Sequence, residues 1–330
     1  DGVHDAQYDE AARAKGEELK AWLAELARTP RSAVRVCVLQ EGSKKLWFGR
    51  DVVLAGFRAA GYSEARLVAL TQRGALERAV RKCNVTVGFH GLKPYVIDAM
   101  NAAGKHHLLV ESAYFNRGRG TWAGLNWDGL NGYGRNHFFQ EVPGDRWARV
   151  FSRRVAVRAW SAGAVERVVV VGQLQGDAAM LPVDRLFGGA QGWYDAAVAA
   201  ARARYPGLPV YFRPHPRASE ARQAAARGVD GVLRAADTSL EEAMRGAVAL
   251  TMNSNSGLEL ALRGVPVVVT DPGGMAWPVA SRHIAAPLRT PDRARWLHQI
   301  AYSQWHFDEV RNGTAIDWIM SLDPAAAAAD

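Results

Sequence analysis

Three short stretches in the second half of this 330-residue chain carry residue types that bind and activate phosphate esters. Tyr211-Phe212-Arg213-Pro214-His215-Pro216 sets a guanidinium and an imidazole between two prolines that stiffen the main chain. A guanidinium forks onto phosphate oxygens, and an imidazole donates a hydrogen bond to a departing phosphate without a metal. About forty residues on, Asn253-Ser254-Asn255-Ser256-Gly257 precedes a helical pattern. Ser254, Asn255 or Ser256 would cap that helix, whose first N–H groups and dipole favour a pyrophosphate. Gly257 permits close backbone approach, and Glu259, one turn inside, is placed to accept hydrogen bonds from ribose hydroxyls. Gly172-Gln173-Leu174-Gln175-Gly176-Asp177 is a weaker signal, because it lacks the full Gly-x-Gly-x-x-Gly spacing. Gln173 and Asp177 either meet the same ligand or form a polar turn.

Strands and helices in alternation must position these residues. In the second half the pattern predicts strands at 168–171, 210–212, 231–233, 248–250 and 265–269, with helices at 192–204, 218–226, 239–245 and 256–263. Each motif then follows the carboxyl end of a strand, where open α/β sheets bind ligands. The first half repeats the scheme. An amphipathic helix over 5–28, with Leu19, Trp22, Leu23 and Leu26 on one side, leads into strands at 34–39, 67–70, 85–89 and 107–110. Helices are expected at 46–60, 74–82 and 94–103. Short links between alternating elements imply parallel, doubly wound sheets in an α/β protein. Two domains are expected, 1–160 and 161–330, with a Trp-rich helical tail at about 291–320 that could cross back.

Between 111 and 139 the alternation stops, and Gly, Asn, Arg and aromatic residues take over. The stretch holds Tyr114, Phe115, Arg117, Arg119, Trp122, Trp127, Tyr133, Arg135 and His137. It is too long for a simple connector. Charge is uneven as well: residues 1–160 hold 25 Lys and Arg against 16 Asp and Glu, whereas 161–330 hold 16 against 17. All seven lysines precede residue 106. A basic first half suits a polyanion, the alternative being a solvated surface. Cys37 and Cys83, far apart in sequence beside apolar runs, are expected to be reduced core thiols. The absence of an apolar run of membrane-spanning length and of a leader-like N-terminus gives a cytoplasmic expectation.

The series Gly172-Gln173, Gly176-Asp177, Trp193-Tyr194, Arg213-Pro214-His215-Pro216, Asn253 to Glu259, Gly264-Val265-Pro266 and Ala301-Tyr302, Trp305, Glu309, Arg311 resembles the capsule-polysaccharide, Kdo-transferase-like glycosyltransferases. The resemblance covers about 170–320. It implies the GT-B fold, two Rossmann-like domains facing a cleft, and a nucleotide-sugar donor, a UDP-sugar or alternatively a CMP-sugar. It places the nucleotide on Arg213, His215, Ser254, Ser256 and Glu259. In the first half, Glu111-Ser112-Ala113-Tyr114 and Trp127-Asp128-Gly129-Leu130-Asn131-Gly132 are similar to phage-encoded glycosyltransferases, some of which decorate hydroxymethylated DNA bases.

Such a transferase needs a general base to take the proton of the attacking hydroxyl. Glu111, directly after the strand at 107–110, ranks first, then Asp128, then His90. No Asp-x-Asp pair occurs, so the sequence requires no catalytic metal. Tyr114, Arg117, Arg119, Trp122, Trp127, Tyr133 and Arg135 are the expected acceptor contacts, because aromatic faces interleaved with guanidiniums suit a flipped base and its phosphates. Modified DNA is therefore the expected acceptor, with a capsule or envelope glycan as the alternative. A nucleotide-sugar epimerase and a non-enzymatic DNA-binding protein are the rival classes.

Overall fold

A computed structural model of the chain describes residues 2–40, 49–70, 74–89, 99, 100, 102, 104–115, 120–174, 180, 189–218 and 226–323. They divide into two compact units. The first comprises 2–151 together with the segment from Ala294 onward, and the second spans Ser152–Arg293. The boundary thus falls near 151 rather than 160, and the tail belongs to the first unit.

In the first unit, helix α1 (Gly2–Leu26) precedes strand β1 (Val36–Gln40), helix α2 (Arg50–Ala59) and strand β2 (Arg66–Ala69). Helix α3 (Ala75–Lys82) and strands β3 (Val85–Phe89), β4 (His107–Ser112) and β5 (Trp122–Trp127) follow. The period-3.6 apolar positions of α1 do what their spacing predicts: Leu19 and Leu23 are fully buried, with Trp22 and Leu26 packed against the same core. Most of the helix expected at 94–103 lies outside the described residues, as does that at 218–226 in the second unit.

β5 is the main departure. The segment expected to be irregular contains a strand buried along its whole length, antiparallel to β4 with Glu111 opposite Gly124. Its other edge is covered by β11 (Gln304–His306), again antiparallel, so the sheet order is β11-β5-β4-β3-β1-β2. Gln304 also lies opposite Gly124, which puts Glu111, Gly124 and Gln304 side by side on three strands.

Arg146 fastens the tail to this unit. Its guanidinium is buried, lies 3.7 Å from the Trp305 ring centroid and pairs with Glu309. It also donates to the carbonyls of Ala301 and Gln304 at 2.7 and 3.0 Å. A buried charge needs that full set of acceptors and a counter-ion.

The two cysteines correct the expectation of free thiols. Cys37 and Cys83 form a disulfide, with Cα atoms 6.0 Å apart. They are 46 residues apart in sequence, but β1 and β3 are parallel neighbours with Val36 opposite Val85, which brings both positions to one end of the pair.

The second unit follows the expected alternation. Strand β6 (Arg167–Val171), helix α4 (Ala190–Arg204), strands β7 (Val210–Arg213) and β8 (Gly231–Val232) and helix α5 (Leu240–Ala243) come first. Strand β9 (Ala247–Thr251), helix α6 (Asn255–Leu262) and strand β10 (Val267–Val269) complete it. All pairings are parallel and the order is β10-β9-β6-β7-β8. In chain order this is 5-4-1-2-3, a Rossmann half with its switch point between β6 and β9. The apolar strands are buried on both faces, as Val168-Val169-Val170-Val171 predicts. Helices α7 (Ala294–Ala301), α8 (Phe307–Arg311) and α9 (Thr314–Ser321) flank β11 in the tail. Among the described residues, no helix is long and apolar enough to cross a membrane.

Candidate functional site

The switch point of the second unit gathers most of the expected donor residues. Gly172 and Gln173 follow the end of β6, Met252, Asn253 and Ser254 follow the end of β9, and the two edges are joined by side chains. Gln173 Nε2 donates to Asn253 Oδ1 at 2.6 Å, and the Asn253 N–H donates back to Gln173 Oε1 at 3.3 Å. Ser254 is the N-cap of α6, its hydroxyl accepting from the Ser256 N–H at 3.2 Å. Asn255 and Ser256 form the first turn, Gly257 is buried beneath it and Glu259 is half-buried. A Cβ on Gly257 would sit 3.1 Å from Thr251 Cγ2, so glycine lets the helix start seat on the end of β9. The helix's positive end thus lies beside the paired Gln173 and Asn253 amides at the switch point, and such a helix start favours an anion.

Asp271 and the aromatic pair Trp193-Tyr194 complete the switch point. Asp271, just past β10, accepts from Asn253 Nδ2 at 2.8 Å and from the Gly273 N–H at 2.9 Å. The Tyr194 hydroxyl accepts from the Gln173 N–H at 2.9 Å, and Trp193 Nε1 donates to Thr270 Oγ1 at 2.8 Å. Adjacent residues of α4 therefore brace both arms of the switch point. Burial pushes the Tyr194 phenol above its ordinary value, against the bond from Gln173, so it stays protonated. Asp271 was not among the expected site residues. Its signal was there: a polar residue two positions past an apolar strand of a parallel sheet, as Asn253 is past β9.

Arg213 departs from expectation. Its NH1 and NH2 donate to the main-chain carbonyls of Leu233 and Thr238 at 3.3 and 3.0 Å, and the residue is 8% exposed. The fork expected on phosphate is directed instead at the segment after β8. Burial lowers the pKa of the guanidinium from an ordinary value so high that it remains charged. His215 is half-buried, and its Nδ1 accepts from the Arg217 N–H at 3.1 Å. That bond leaves the ring proton of the neutral imidazole on Nε2, the tautomer able to donate to a phosphate. Asp177 lies outside the described residues.

The first unit separates the base candidates. Glu111 lies within β4, near its carboxyl end, and Asp128 pairs with the strand's amino end, accepting from the His107 N–H at 2.8 Å. Four residues of strand, about 13 Å, lie between those ends. One reacting atom cannot meet both. Asp128 also takes a 2.6 Å bond from His106 Nδ1 and a 3.2 Å contact from Arg135 Nε. Burial opposes its charge, but the bond from His106 and the proximity of His107 hold its carboxyl below the usual range. Asp128 is therefore engaged at the amino end of β4 by His106, the His107 N–H and Arg135, apart from Glu111. His90 lies outside the described residues.

Glu111 is 5% exposed and belongs to a polar chain. Its Oε1 accepts from the Tyr114 hydroxyl at 2.8 Å, from the Asn131 N–H at 2.6 Å and from Asn126 Nδ2. Asn126 Oδ1 in turn faces His137 Nε2 at 2.5 Å, and His137 Nδ1 faces Ser303 Oγ at 2.6 Å. Because Asn126 gives its amide N–H to the carboxylate, its oxygen needs the proton on His137 Nε2, so Nδ1 accepts from Ser303. Burial pushes the His137 imidazole down to about 3.

The expected stacking faces are not at the surface. Tyr114, Trp122 and Trp127 are 3%, 6% and 0% exposed, and Trp127 Nε1 donates to the Ile319 carbonyl at 2.8 Å. β5 is an interior strand, and its aromatic residues fill the core that the tail closes; this corrects their assignment to acceptor stacking. Arg135 is partly exposed and paired with Asp128 and Glu18. Tyr133 is half-buried in the 3-10 turn Asn131–Tyr133. Arg117 and Arg119 lie outside the described residues.

No protein-family model matches this chain, and no curated protein sequence does. Among solved structures it is similar to Thermosulfurimonas dismutans KpsC, a beta Kdo 2,4 transferase, with a TM-score of 0.50 and 16% sequence identity over 83% of this chain and 92% of that chain. An aspartate transcarbamoylase from Trypanosoma cruzi aligns at a TM-score of 0.26 and 12% identity over 88% and 91% of the two chains. A glycotransferase of kitacinnamycin aligns at 0.21 and 14% over 90% and 95%. The likeness to KpsC is one of fold, the two-unit α/β architecture of the GT-B type.

Proposed function

We propose that the protein is a glycosyltransferase that takes a sugar from a nucleotide-sugar donor. The observation that carries this reading is the switch point itself, where Gln173 and Asn253 join the ends of β6 and β9 beside the Ser254-capped start of α6. The donor phosphate would meet the positive end of α6, with His215 Nε2–H as a further donor. Glu259 would accept from the ribose hydroxyls, and Asn255, Ser256 and Gly257 would supply polar contact and close backbone approach. In the first unit Glu111 is the proposed base. Its carboxylate is held by three donors, and the proton it would take comes from the acceptor hydroxyl.

The proposed acceptor is a 5-hydroxymethyl pyrimidine in DNA, now supported by the basic excess of the first 160 residues alone. A capsule or envelope glycan is the alternative; it requires no base-stacking face, and Tyr114, Trp122 and Trp127 are buried. Nucleoside mass spectrometry tests the pair. DNA containing 5-hydroxymethylcytosine or 5-hydroxymethyluracil and, in parallel, anionic oligosaccharides are incubated with UDP-glucose, UDP-galactose and CMP-Kdo. A sugar-sized mass gain on the base establishes the DNA reading, and a gain on the oligosaccharide alone replaces it. Conversion of the donor to an epimer with no acceptor present would sink the transferase reading.

A further inference from the structure

Among the described residues, Asp271 is the one buried carboxylate at the switch point to which the proposed chemistry gives no part. It is 7% exposed, and its partner Asn253 is 4% exposed. A side-chain amide can rotate by half a turn and exchange its donor for its acceptor at little steric cost. An ionised carboxylate only accepts. Asp271 Oδ1 therefore fixes Asn253 with Nδ2 toward β10, and this forces Asn253 Oδ1 toward β6. Gln173 is fixed in turn: its Nε2 meets that oxygen at 2.6 Å, and its Oε1 takes the Asn253 N–H at 3.3 Å. One carboxylate thus sets the orientation of two amides across the switch point.

The surroundings hold Asp271 itself in place. The Asp271 N–H donates to the Met252 carbonyl at 3.2 Å, which extends β10 along β9. The Gly273 N–H returns to the carboxylate. A Cβ on Gly274 would lie 3.3 Å from the Asn253 Cα and 2.5 Å from Val269 Cγ1, so the turn after Asp271 is seated against Asn253. We infer that Asp271 is a positioning residue of this switch point, presetting the donor and acceptor pattern that the Asn253 and Gln173 amides offer to a nucleotide. The inference rests on the donor-site reading above. Preorganisation of this kind raises affinity by removing rotamer freedom before binding.

The test is isothermal titration calorimetry of UDP and of CMP against wild type and Asp271→Asn, with melting temperatures measured in parallel. The neutral amide has the size of the carboxylate but no longer dictates which face Asn253 turns to it. Affinity for whichever nucleotide the wild type binds is expected to fall about ten-fold, while the melting temperature changes by less than about 3 °C. In donor-dependent assays KM should rise with kcat nearly unchanged, a split that a purely structural role does not produce. Should Asp271→Asn fail to fold, Asp271→Ser, smaller and able both to accept and to donate, is expected to show the same loss of affinity. Wild-type binding with unchanged affinity in the folded variant overturns the role of Asp271 and leaves the donor site standing. Failure of the wild type to bind either nucleotide removes the donor site, and this inference with it.

Discussion

Replacing Arg213 separates two accounts of the Arg-Pro-His-Pro stretch. If the guanidinium serves a ligand phosphate, Arg213→Ala abolishes nucleotide binding and spares the fold. The structure predicts the reverse. NH1 and NH2 donate to the carbonyls of Leu233 and Thr238, and the Arg213 carbonyl accepts from the Gly172 N–H at 2.8 Å. The side chain therefore ties the segment between β8 and α5 back to the core strands. Hydrogen bonds from a charged donor contribute about 1.5–3 kcal/mol each, and with one of the two long, the pair is worth roughly 2–4 kcal/mol. For a unit of this size that is a fall in melting temperature of about 6–12 °C. Arg213→Lys, able to reach one carbonyl but not both, should fall between. Calorimetric melting of the three proteins, with UDP and CMP affinities at a temperature where all are folded, reads both quantities. A melting temperature within about 2 °C of wild type together with a ten-fold or greater loss of affinity would refute the structural account.

The disulfide and the buried histidine give two further outcomes. Closing a loop between Cys37 and Cys83, 46 residues apart, stabilises by about 4 kcal/mol on chain entropy. Urea unfolding of a Cys37→Ala/Cys83→Ala variant should show most of that loss, whereas two alkylatable thiols in the denatured, unreduced wild type would contradict the cross-link. His137, held neutral with its pKa pushed down to about 3, takes up a proton near 6.5 once unfolded. The unfolded state then binds more protons, so this group's stabilisation is full above about 6.5 and falls as the pH drops toward 3, by about 1.4 kcal/mol per unit. Urea titrations between pH 7 and 4 should show that slope, and His137→Gln should flatten it.

Where an element is long, periodic and built from its own residues, the sequence was enough to find it. Helix α1 and the five strands of the second unit follow from spacing alone, and with them the placement of Gln173, Asn253 and Ser254 at the carboxyl edge. What the sequence hid depends on partners distant in the chain. Trp122-Ala123-Gly124-Leu125-Asn126-Trp127 has no clean alternation, because both faces of β5 are buried once β11 covers its edge from 180 residues away. Arg213 looked like a phosphate ligand because nothing local shows that the carbonyls of Leu233 and Thr238 will arrive beneath it. Nothing local to Asp128 shows that it will meet the His107 N–H at the amino end of β4. The disulfide was invisible for the same reason: sequence separation is a poor guide to distance when two strands are neighbours in a parallel sheet.

The burial of β5 also decides what form any DNA recognition takes. Drawing Trp127 out to stack on a base would forfeit a fully buried indole and its bond to Ile319, a cost of about 3–5 kcal/mol by comparison with Trp and Phe truncations. Stacking one base returns about 1–3 kcal/mol. The exchange is unfavourable, and the same comparison holds for Trp122. DNA binding by this protein would then rest on the excess of lysine and arginine before residue 160 and not on aromatic intercalation. Charge of that kind predicts an affinity that falls linearly in log–log against salt, with a slope of about 0.9 per phosphate neutralised. It also predicts little difference between 5-hydroxymethylcytosine and ordinary cytosine in binding, whatever the difference in reaction. Fluorescence anisotropy of labelled duplexes between about 50 and 200 mM salt measures both. A shallow slope combined with a strong preference for the modified base would mean that the aromatic rings do leave the core, and would overturn the energetic comparison made from their burial.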